Sequence, residues 1–297
     1  MEKHPERAGP VGITHPDRVV FPDSGLTKGQ LAAYYEAAAP AMLRDLAGRP
    51  MALLRFPDGI AHKGFFQKHK GEGWPDGLRV GHDADGEDFM YVTSAEGILG
   101  AVQMGAVEFH IRGTRRDRPG FPDRMVLDLD PDPAVPFAEV RMAAQDIGGL
   151  LDAAGLPSLP MVSGGKGVHV VVTLRRTAPQ QAVEGFARAV ALHLGTSQPT
   201  RFVATMSRAR REGRIFVDWM RNQRGATAIA PFSVRGRPGA RVAVPLGWDE
   251  LATVASADQF GIEAAAARIG TRPEPRPAAL TRAVADALAR LAAAGRF

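Results

Sequence analysis

The chain has 297 residues, of which 45% are hydrophobic and 23% charged, so it is long enough to bury one large core or two smaller ones. It contains no cysteine, which excludes disulfide bonds, thiolate metal sites and cysteine nucleophiles and is typical of a reducing cytosol. Because it shows neither an apolar run of about eighteen residues nor an apolar leader, we expect a cytoplasmic, nucleoid-associated protein with no membrane partner.

The positive charge is concentrated in one segment. The net charge is +5, yet residues 201–241 alone hold ten arginines against two acids, Glu212 and Asp218. Such a segment favours a polyanionic partner, most simply nucleic acid. A genome-wide preference for arginine over lysine would explain the choice of residue but not the clustering.

The N-terminal part predicts a flexible segment, 1–14, and then a capped helix. Thr27 and Gln30 form a capping-box pattern, apolar residues follow at helical spacing, and Gly48 ends the helix. Lys28 stands at the first helical position, where free amides also favour an anion. On this pattern alone, a solvated lysine is the simpler interpretation.

Aromatic and basic side chains are interleaved in the segment IAHKGFFQKHKG. Phe65 and Phe66 lie there among histidines and lysines, including Lys68, as on a surface that stacks bases and follows phosphates. The alternative is a strand with one Phe in the core. Because neighbouring side chains of a strand point to opposite faces, at least one Phe should be exposed or at an edge.

A hairpin with the acidic loop His82–Asp88 is predicted next, and then a strand, 107–113, that places Glu108 and His110 on one face. Two carboxylates, Asp128 and Asp130, share one face of the following strand, Met125–Pro133. Carboxylates this close repel unless a cation lies between them, and hard cations such as Mg²⁺ or Mn²⁺ prefer such oxygens. A solvated acidic turn explains the pattern about equally well.

A glycine-rich loop, SGGKG, joins two strands after a helix predicted at Phe137–Ala154. Its amides can turn toward a phosphate while its lysine adds a charge, although a hairpin turn with a solvated lysine fits as readily. The residues concerned are Ser163, Gly164, Gly165 and Lys166, with His169 on the next strand.

The strand predicted at 214–220 contains a lone acid, Asp218, among apolar side chains and arginines. A buried Asp is costly unless it binds a metal or pairs with a neighbouring Arg, and both interpretations stay open. Three separate strands thus end in polar groups, and three carboxylates can hold two divalent ions about 4 Å apart, as in phosphoryl-transfer sites.

Further helices are predicted at Pro179–Gly195 and Ala255–Gly270. A Pro-rich linker, 271–279, is predicted to precede a C-terminal helix, 281–294, that packs on the domain.

Longer strings point to a family. The order of D-x-D, SGGKGVH and a lone Asp resembles the archaeo-eukaryotic primase superfamily. The strings TKGQLAAYY, ALLRFPDG, FFQKH, VQMGAVEFH, DLDPDP, SGGKGVHVVV, MSRARREGRIFVD and AIAPFSVRGRPG resemble the polymerase domain of bacterial ligase D, the enzyme of non-homologous end joining, over residues 13–255.

The resemblance implies an α/β (mixed α+β) fold, a primase-like catalytic core of mixed β-sheets flanked by helices, over 15–270. It implies a template-dependent nucleotidyltransferase that fills gaps and extends 3′ ends of broken DNA, uses two Mn²⁺ or Mg²⁺ ions and prefers ribonucleotides. The implied partners are DNA with a 5′-phosphorylated gap or broken end, NTP or dNTP, Ku and a separate ATP-dependent DNA ligase. A primase that starts chains and a non-catalytic module that binds DNA ends are the alternatives.

The resemblance also assigns roles residue by residue. The sequence departs from the family pattern at position 18, where Arg replaces a common Lys, and after His110, where Ile111-Arg112-Gly113 replaces Pro-Trp-Gly. The implied metal ligands and catalytic residues are Asp128, Asp130 and Asp218; the nucleotide contacts are His110, Ser163, Gly164, Gly165, Lys166, His169 and Arg235; the DNA contacts are Arg18 and Lys28 at the 5′-phosphate, Phe65 and Phe66 on the template with Lys68 beside them, and Arg211 on a loop that pairs two ends.

Overall fold

A computed structural model describes residues 11–83 and 85–293. Up to residue 10, the predicted flexible N-terminus lies outside the described residues. Ile13 is fully buried, and the Thr14 amide donates to Gln103 Oε1 at 2.9 Å, so the chain is anchored at these two residues. The chain forms two compact units: unit 1 consists of Met1–Ile111, Ile229–Ala243 and Phe260–Arg272, and unit 2 of Arg112–Ala228, Val244–Gln259 and Pro273–Phe297.

Strands and helices alternate along the chain. The strands are β1 (Val19–Phe21), β2 (Leu26–Thr27), β3 (Met51–Arg55), β4 (Phe65–Gln67), β5 (Arg79–His82), β6 (Asp88–Tyr91), β7 (Ala106–Ile111), β8 (Arg124–Pro131), β9 (Ser158–Val162), β10 (Val168–Thr173), β11 (Phe202–Val203), β12 (Ile215–Asp218), β13 (Ala228–Ile229) and β14 (Val244–Pro245). The helices are α1 (Lys28–Leu46), α2 (Ala95–Gln103), α3 (Phe137–Ala153), α4 (Gln180–Ser197), α5 (Trp248–Leu251), α6 (Ile262–Ala266) and α7 (Arg282–Ala293). The predicted mixed α/β fold class is confirmed.

Unit 1 is built on a sheet with the strand order β13-β7-β3-β6-β5, to which β4 adds by pairing with β3. Helix α1 begins at the predicted capping box: Thr27 Oγ1 accepts from the Gln30 amide at 3.3 Å, and Gln30 Oε1 accepts from the Thr27 amide at 2.9 Å. Pro40 lies inside α1 without ending it, and Gly48 follows the helix with a φ of 64°. The hairpin predicted around the acidic loop is β5–β6.

Strand β4 lies at an edge, because it pairs only with the end of β3 among the described strands. The prediction that at least one of its two Phe side chains is exposed is confirmed, and both are: Phe65 is 47% and Phe66 57% exposed. The alternative of a Phe in the core is wrong.

Unit 2 is built on a second sheet with the order β11-β12-β8-β10-β9-β14. Strands β11 and β12 are parallel, the other neighbours antiparallel, and α3 and α4 pack on the sheet. The register places Asp218 of β12 opposite Asp128 of β8, and Asp128 opposite His169 of β10. These three side chains therefore form one row across the sheet, on one face.

One prediction for the C-terminal third needs correction. The helix expected at Ala255–Gly270 is only α6, because the Ala255 amide donates to the Gln259 side chain at 2.8 Å and Gly261 precedes the first helical turn. The Pro-rich segment, predicted as a linker, is also tied to the sheet, since the Ala278 amide donates to the Thr173 carbonyl at 3.0 Å and Ala278 forms a parallel bridge with Leu174, just after β10. Helix α7 packs on α3 and α4. Among residues 11–83 and 85–293, no helix is long and apolar enough to cross a membrane.

Replacing Gly148 with Ala should destabilise unit 2. A Cβ at Gly148 would lie 2.3 Å from Trp248 Cζ2, so the ring would have to move, at a cost of about 1–3 kcal/mol in the free energy of unfolding. The matched control is Gly149→Ala, whose Cβ would meet nothing within 4 Å and which should be neutral or stabilise α3 by up to about 1 kcal/mol. Urea unfolding followed by tryptophan fluorescence measures both, and equal effects would contradict the packing.

Candidate active site

Three carboxylates of unit 2 form what we call the carboxylate cluster, Asp128, Asp130 and Asp218. Asp128 and Asp218 face each other across β8 and β12, and Asp130 lies two residues further along β8 on the same face. The side chains of Asp128 and Asp218 are 13% and 10% exposed, whereas that of Asp130 is 53% exposed. The predicted meeting of three acids distant in sequence is thus confirmed for Asp128 and Asp218, with Asp130 at the open side.

Arg221, which the sequence reasoning left without a role, lies between two of these acids. Its Nε is 3.1 Å from Asp128 Oδ2 and 3.1 Å from Asp218 Oδ2. It stands on the 3₁₀ turn Met220–Asn222, which Asn222 fixes to β8 by accepting from the Val126 amide at 2.8 Å and donating to the Val126 carbonyl at 2.7 Å. The ion pair left open for Asp218 therefore exists.

The pKa values of the cluster reflect this arrangement. Burial acts to raise the pKa of Asp128, but the adjacent His169 and Arg221 outweigh it and hold that pKa well below its usual range. Burial and the charge of Asp128 raise the pKa values of both Asp130 and Asp218. The three carboxylates are therefore close enough to repel one another.

His169 is only 3% exposed, and its Nε2 is 3.3 Å from Asp128 Oδ1. The family resemblance implies a nucleotide contact for this side chain. The antiparallel pairing of β10 with β8 turns it toward Asp128 instead. In this structure His169 supports a carboxylate of the cluster.

The glycine-rich loop uses most of its amides internally. The Ser163 amide donates to the Gly167 carbonyl at 3.0 Å and the Gly164 amide to the Ala257 carbonyl at 3.1 Å, while Ser163 Oγ accepts from the amides of Gly165 and Gly167 at 3.3 Å. The expectation that consecutive amides face outward is wrong for this conformation, because the loop closes on the Ser163 hydroxyl. Lys166 is exposed and remains the side chain that carries the loop's charge.

Arg211 points toward the cluster rather than away from it. Its Nη1 is 3.4 Å from Asp130 Oδ2, and its guanidinium lies 3.7 Å from the centre of the Phe216 ring. A role in pairing two DNA ends would require this contact to open.

The donor chemistry of the cluster fits a hard divalent cation. Within the described part of the chain, no three His, Cys, Asp or Glu side chains are already gathered as a metal shell. However, Asp128 and Asp218 both direct an oxygen at a single nitrogen of Arg221, so a cation already stands between them. A divalent ion would take that place if Arg221 moved aside.

In unit 1, Glu108, His110 and Arg235 form what we call the Glu108 cluster. His110 Nε2 is 2.8 Å from Glu108 Oε2, and Arg235 Nε is 3.5 Å from Glu108 Oε1. The exposed Phe66 ring meets His110 edge to face, with ring centres 5.1 Å apart. Two predicted nucleotide contacts and one predicted template contact therefore lie together in unit 1. Glu108 was missed, although an acid two residues before His110 in an apolar strand was a usable signal.

A pocket of about 190 Å³ in unit 1, which we call the Lys28 pocket, is lined by Arg18, Lys28 and Arg55. Lys28 is 8% exposed, and its Nζ donates to Gln103 Oε1 at 2.8 Å and to the Thr14 carbonyl at 3.1 Å, so the interpretation as a solvated lysine is wrong. Burial, and secondarily the charge of Arg18, lowers the pKa of Lys28 to about 8.

Arg55, another pocket residue to which the sequence analysis gave no role, lies 4.7 Å from the centre of the Trp74 ring. Lys68 is exposed beside β4.

A family model described as "LigD, primase-polymerase domain" matches residues 27–276. The chain belongs to this family. It is 40% identical over 262 residues to the "Multifunctional non-homologous end joining protein LigD" of Pseudomonas aeruginosa, and 34% identical over 260 residues to the protein of the same description from Mycolicibacterium smegmatis. The matches cover 87% and 85% of this chain but 31% and 34% of those relatives, so the chain spans about a third of their length.

The fold agrees with that of a solved member of the LigD family. The "Polymerase Domain from Mycobacterium tuberculosis Ligase D in complex with DNA" superposes with a TM-score of 0.80 at 32% identity, covering 88% of this chain and 94% of that one. The predicted family, fold class and enzyme class, a nucleotidyltransferase of the primase-polymerase type, are therefore confirmed.

Replacing Arg221 with Leu should destabilise the protein at neutral pH. Removing one partner of a buried pair costs about 3–5 kcal/mol, but the Arg221 side chain is 42% exposed, so we expect about 1–2 kcal/mol. Without the guanidinium, the pKa values of Asp128 and Asp218 rise in the folded state, so the loss should shrink as the pH falls toward about 4. Urea unfolding at several pH values measures this. Adding Asp218→Asn should restore stability, and an Arg221→Leu variant as stable as the wild type at neutral pH would contradict the pairing.

Proposed function

We propose that the chain is a template-dependent polymerase that fills gaps and extends 3′ ends during bacterial non-homologous end joining. The observation that carries this proposal is the row of Asp218 and Asp128 on neighbouring strands, with Asp130 beside them, in a chain of the LigD primase-polymerase family. Paired carboxylates at one sheet face are what phosphoryl transfer with divalent ions needs. The related polymerase domain from Mycobacterium tuberculosis was solved with DNA, which supports a DNA substrate here.

Asp128, Asp130 and Asp218 would hold two ions of Mn²⁺ or Mg²⁺. When bound, such ions neutralise the reacting phosphate and favour ionisation of the primer 3′-hydroxyl. Arg221 has to release Asp128 and Asp218 for this, and its partly exposed side chain leaves it free to turn toward solvent. His169 would keep the Asp128 carboxylate oriented.

The incoming NTP or dNTP would be held by cationic and hydrogen-bonding groups. Lys166 is exposed and brings a full charge to a triphosphate, and Arg235 offers a planar guanidinium suited to phosphate oxygens. The other nucleotide contacts that the family resemblance implies are His110, Ser163, Gly164, Gly165 and His169. To reach a nucleotide, the loop amides would have to leave Ser163 Oγ and the Ala257 carbonyl, and His169 would have to leave Asp128. The preference for ribonucleotides is part of this proposal.

The DNA would contact unit 1 through two surfaces. Phe65 and Phe66 expose their rings on an edge strand, where bases can stack on them, with Lys68 adjacent for the backbone. Arg18 and Lys28 line the Lys28 pocket, whose size and charge suit a terminal 5′-phosphate. Ku and an ATP-dependent DNA ligase are the proposed partners in the repair reaction, and Arg211 would serve where two ends are paired.

Asp128→Asn and Asp218→Asn should each lower nucleotide incorporation about 100-fold or more, because a neutral amide is a poor ligand for a hard cation. The assay is extension of a primer on a gapped duplex with Mn²⁺, using rNTPs and dNTPs separately. Asp132→Asn is the matched control: Asp132 Oδ1 only accepts from the Ala134 amide, at 3.0 Å, and an amide oxygen can do the same. Full activity of the two test variants would refute the site, and products formed without a primer would favour a primase.

The preference for a 5′-phosphate over a 5′-hydroxyl should fall as the pH is raised through about 8, because Lys28 loses its charge there, well below the ordinary lysine range. Bound phosphate stabilises the charged form, so the midpoint in the DNA complex should lie somewhat higher. The measurement is the ratio of binding constants for the two DNAs against pH. Lys28→Arg, which stays charged, should remove the pH dependence, and Lys28→Ala should remove the preference. A ratio in the wild type that does not change with pH would exclude Lys28 from the phosphate site.

A further inference from the structure

Glu108 is a buried acid for which the proposed reaction has no direct use. It lies in β7, whose residues are all buried, and its side chain is 2% exposed. A carboxylate in such a place costs several kcal/mol unless its oxygens are fully compensated. Its partners therefore indicate what it is for.

Both oxygens of Glu108 are used. Oε2 is 2.8 Å from His110 Nε2, while Oε1 accepts from the Gly236 amide at 2.8 Å and lies 3.5 Å from Arg235 Nε. Two of these partners, His110 and Arg235, are side chains proposed to hold the nucleotide. One carboxylate thus joins a residue of β7 to a residue of the segment 233–236.

The main chain of that segment has further anchors besides the bond from the Gly236 amide to Glu108. Ser233 Oγ accepts from the Phe109 amide at 2.8 Å, and the Val234 amide donates to the Tyr35 hydroxyl at 2.9 Å. Gly236 fits so closely that a Cβ there would lie 2.2 Å from Phe56 Cε2. Because the backbone is already fixed, the contribution of Glu108 falls mainly on the side chains of His110 and Arg235.

Glu108 remains ionised in this environment. Burial acts to raise its pKa, but the hydrogen bond from His110, the charges of Arg235 and His110 and the Gly236 amide together lower it below the usual value. An anion beside the Arg235 guanidinium also compensates the charge of that cation.

We propose that Glu108 is the positioning residue of the nucleotide site, which orients His110 and Arg235 toward the triphosphate without touching it. This inference rests on the proposed function, because it assumes that those two side chains bind the nucleotide. The competing view is that Glu108 stabilises the fold and nothing more.

The test compares Glu108→Ala and Glu108→Gln with the wild type. A hydrogen bond to a charged group is stronger than one between neutral groups. Because Glu108→Ala removes such a bond to His110, it should raise the KM and the Kd for nucleotide roughly ten-fold or more. Glu108→Gln keeps an acceptor for the Gly236 amide and should recover part of the loss. The KM for DNA should not change, and kcat should change much less than the nucleotide KM. Nucleotide binding is measured with a fluorescent ATP analogue and extension with a gapped duplex, and melting temperatures are recorded for each variant.

Asp45→Asn is the matched control. Asp45 is a buried acid of unit 1 whose Oδ2 lies 2.5 Å from Nη1 of Arg272, a residue outside the proposed nucleotide site. It should lower the melting temperature while leaving the nucleotide KM unchanged. If Glu108 acts through Arg235, the two substitutions should not act independently. The nucleotide KM of the double variant Glu108→Gln, Arg235→Lys should then rise by less than the product of the fold-increases of the two single variants.

The outcomes separate the two levels of proposal. If the wild type neither binds nor incorporates nucleotide, the proposed function and this inference fail together. If the wild type is active and both Glu108 variants lower the melting temperature with an unchanged nucleotide KM, only the positioning role fails. Should Glu108→Ala not fold, the KM of Glu108→Gln and its coupling to Arg235→Lys decide alone.

Discussion

The antiparallel pairing of β8 with β12 sets two carboxylates, Asp128 and Asp218, opposite each other on a sheet face, and unit 2 has to compensate that charge. It does so with His169 from the next strand and Arg221 from the turn that follows β12. A structural protein would gain nothing from such an arrangement, because apolar side chains of similar size would pack as well without desolvating charge. The row of charged groups is the observation on which the proposed cation site rests.

In unit 1, the groups proposed to contact phosphates are cationic rather than acidic. Two of these cationic groups, Lys28 and Arg235, lie against acceptors from elsewhere in the same unit. Lys28 is held by Gln103 and the Thr14 carbonyl, and Arg235 lies beside Glu108. Fixing a flexible cationic side chain before the phosphate arrives lowers the entropy cost of binding. The partial desolvation that comes with it appears in the lowered pKa of Lys28.

Other side chains proposed to contact the substrate are exposed to solvent rather than held by neighbouring groups. Phe65 and Phe66 lie on a short edge strand with little to cover them, and Lys68 and Lys166 extend into solvent. A surface that stacks bases has to stay open to them, so the exposed apolar area of the two rings is a cost of the proposed role. DNA is the occupant proposed for this surface, because the related polymerase domain from Mycobacterium tuberculosis was solved in complex with DNA.

The sequence by itself determined the local structure, because capping boxes, strand alternation and glycine turns act over a few residues: α1, the β5–β6 hairpin and the alternation of Asp128 with its apolar neighbours follow directly from it. Together with the longer strings, it also determined the family. Strand register belongs to the tertiary structure, which alone decided that His169 turns inward to Asp128, that Arg221 bridges two acids and that Glu108 joins His110 to Arg235. The helix expected at Ala255–Gly270 failed for the same reason, since there the chain passes from unit 2 to unit 1 and tertiary packing overrides helical propensity. Contacts between residues a hundred positions apart leave no periodic trace in a single sequence, so only the folded chain reveals them.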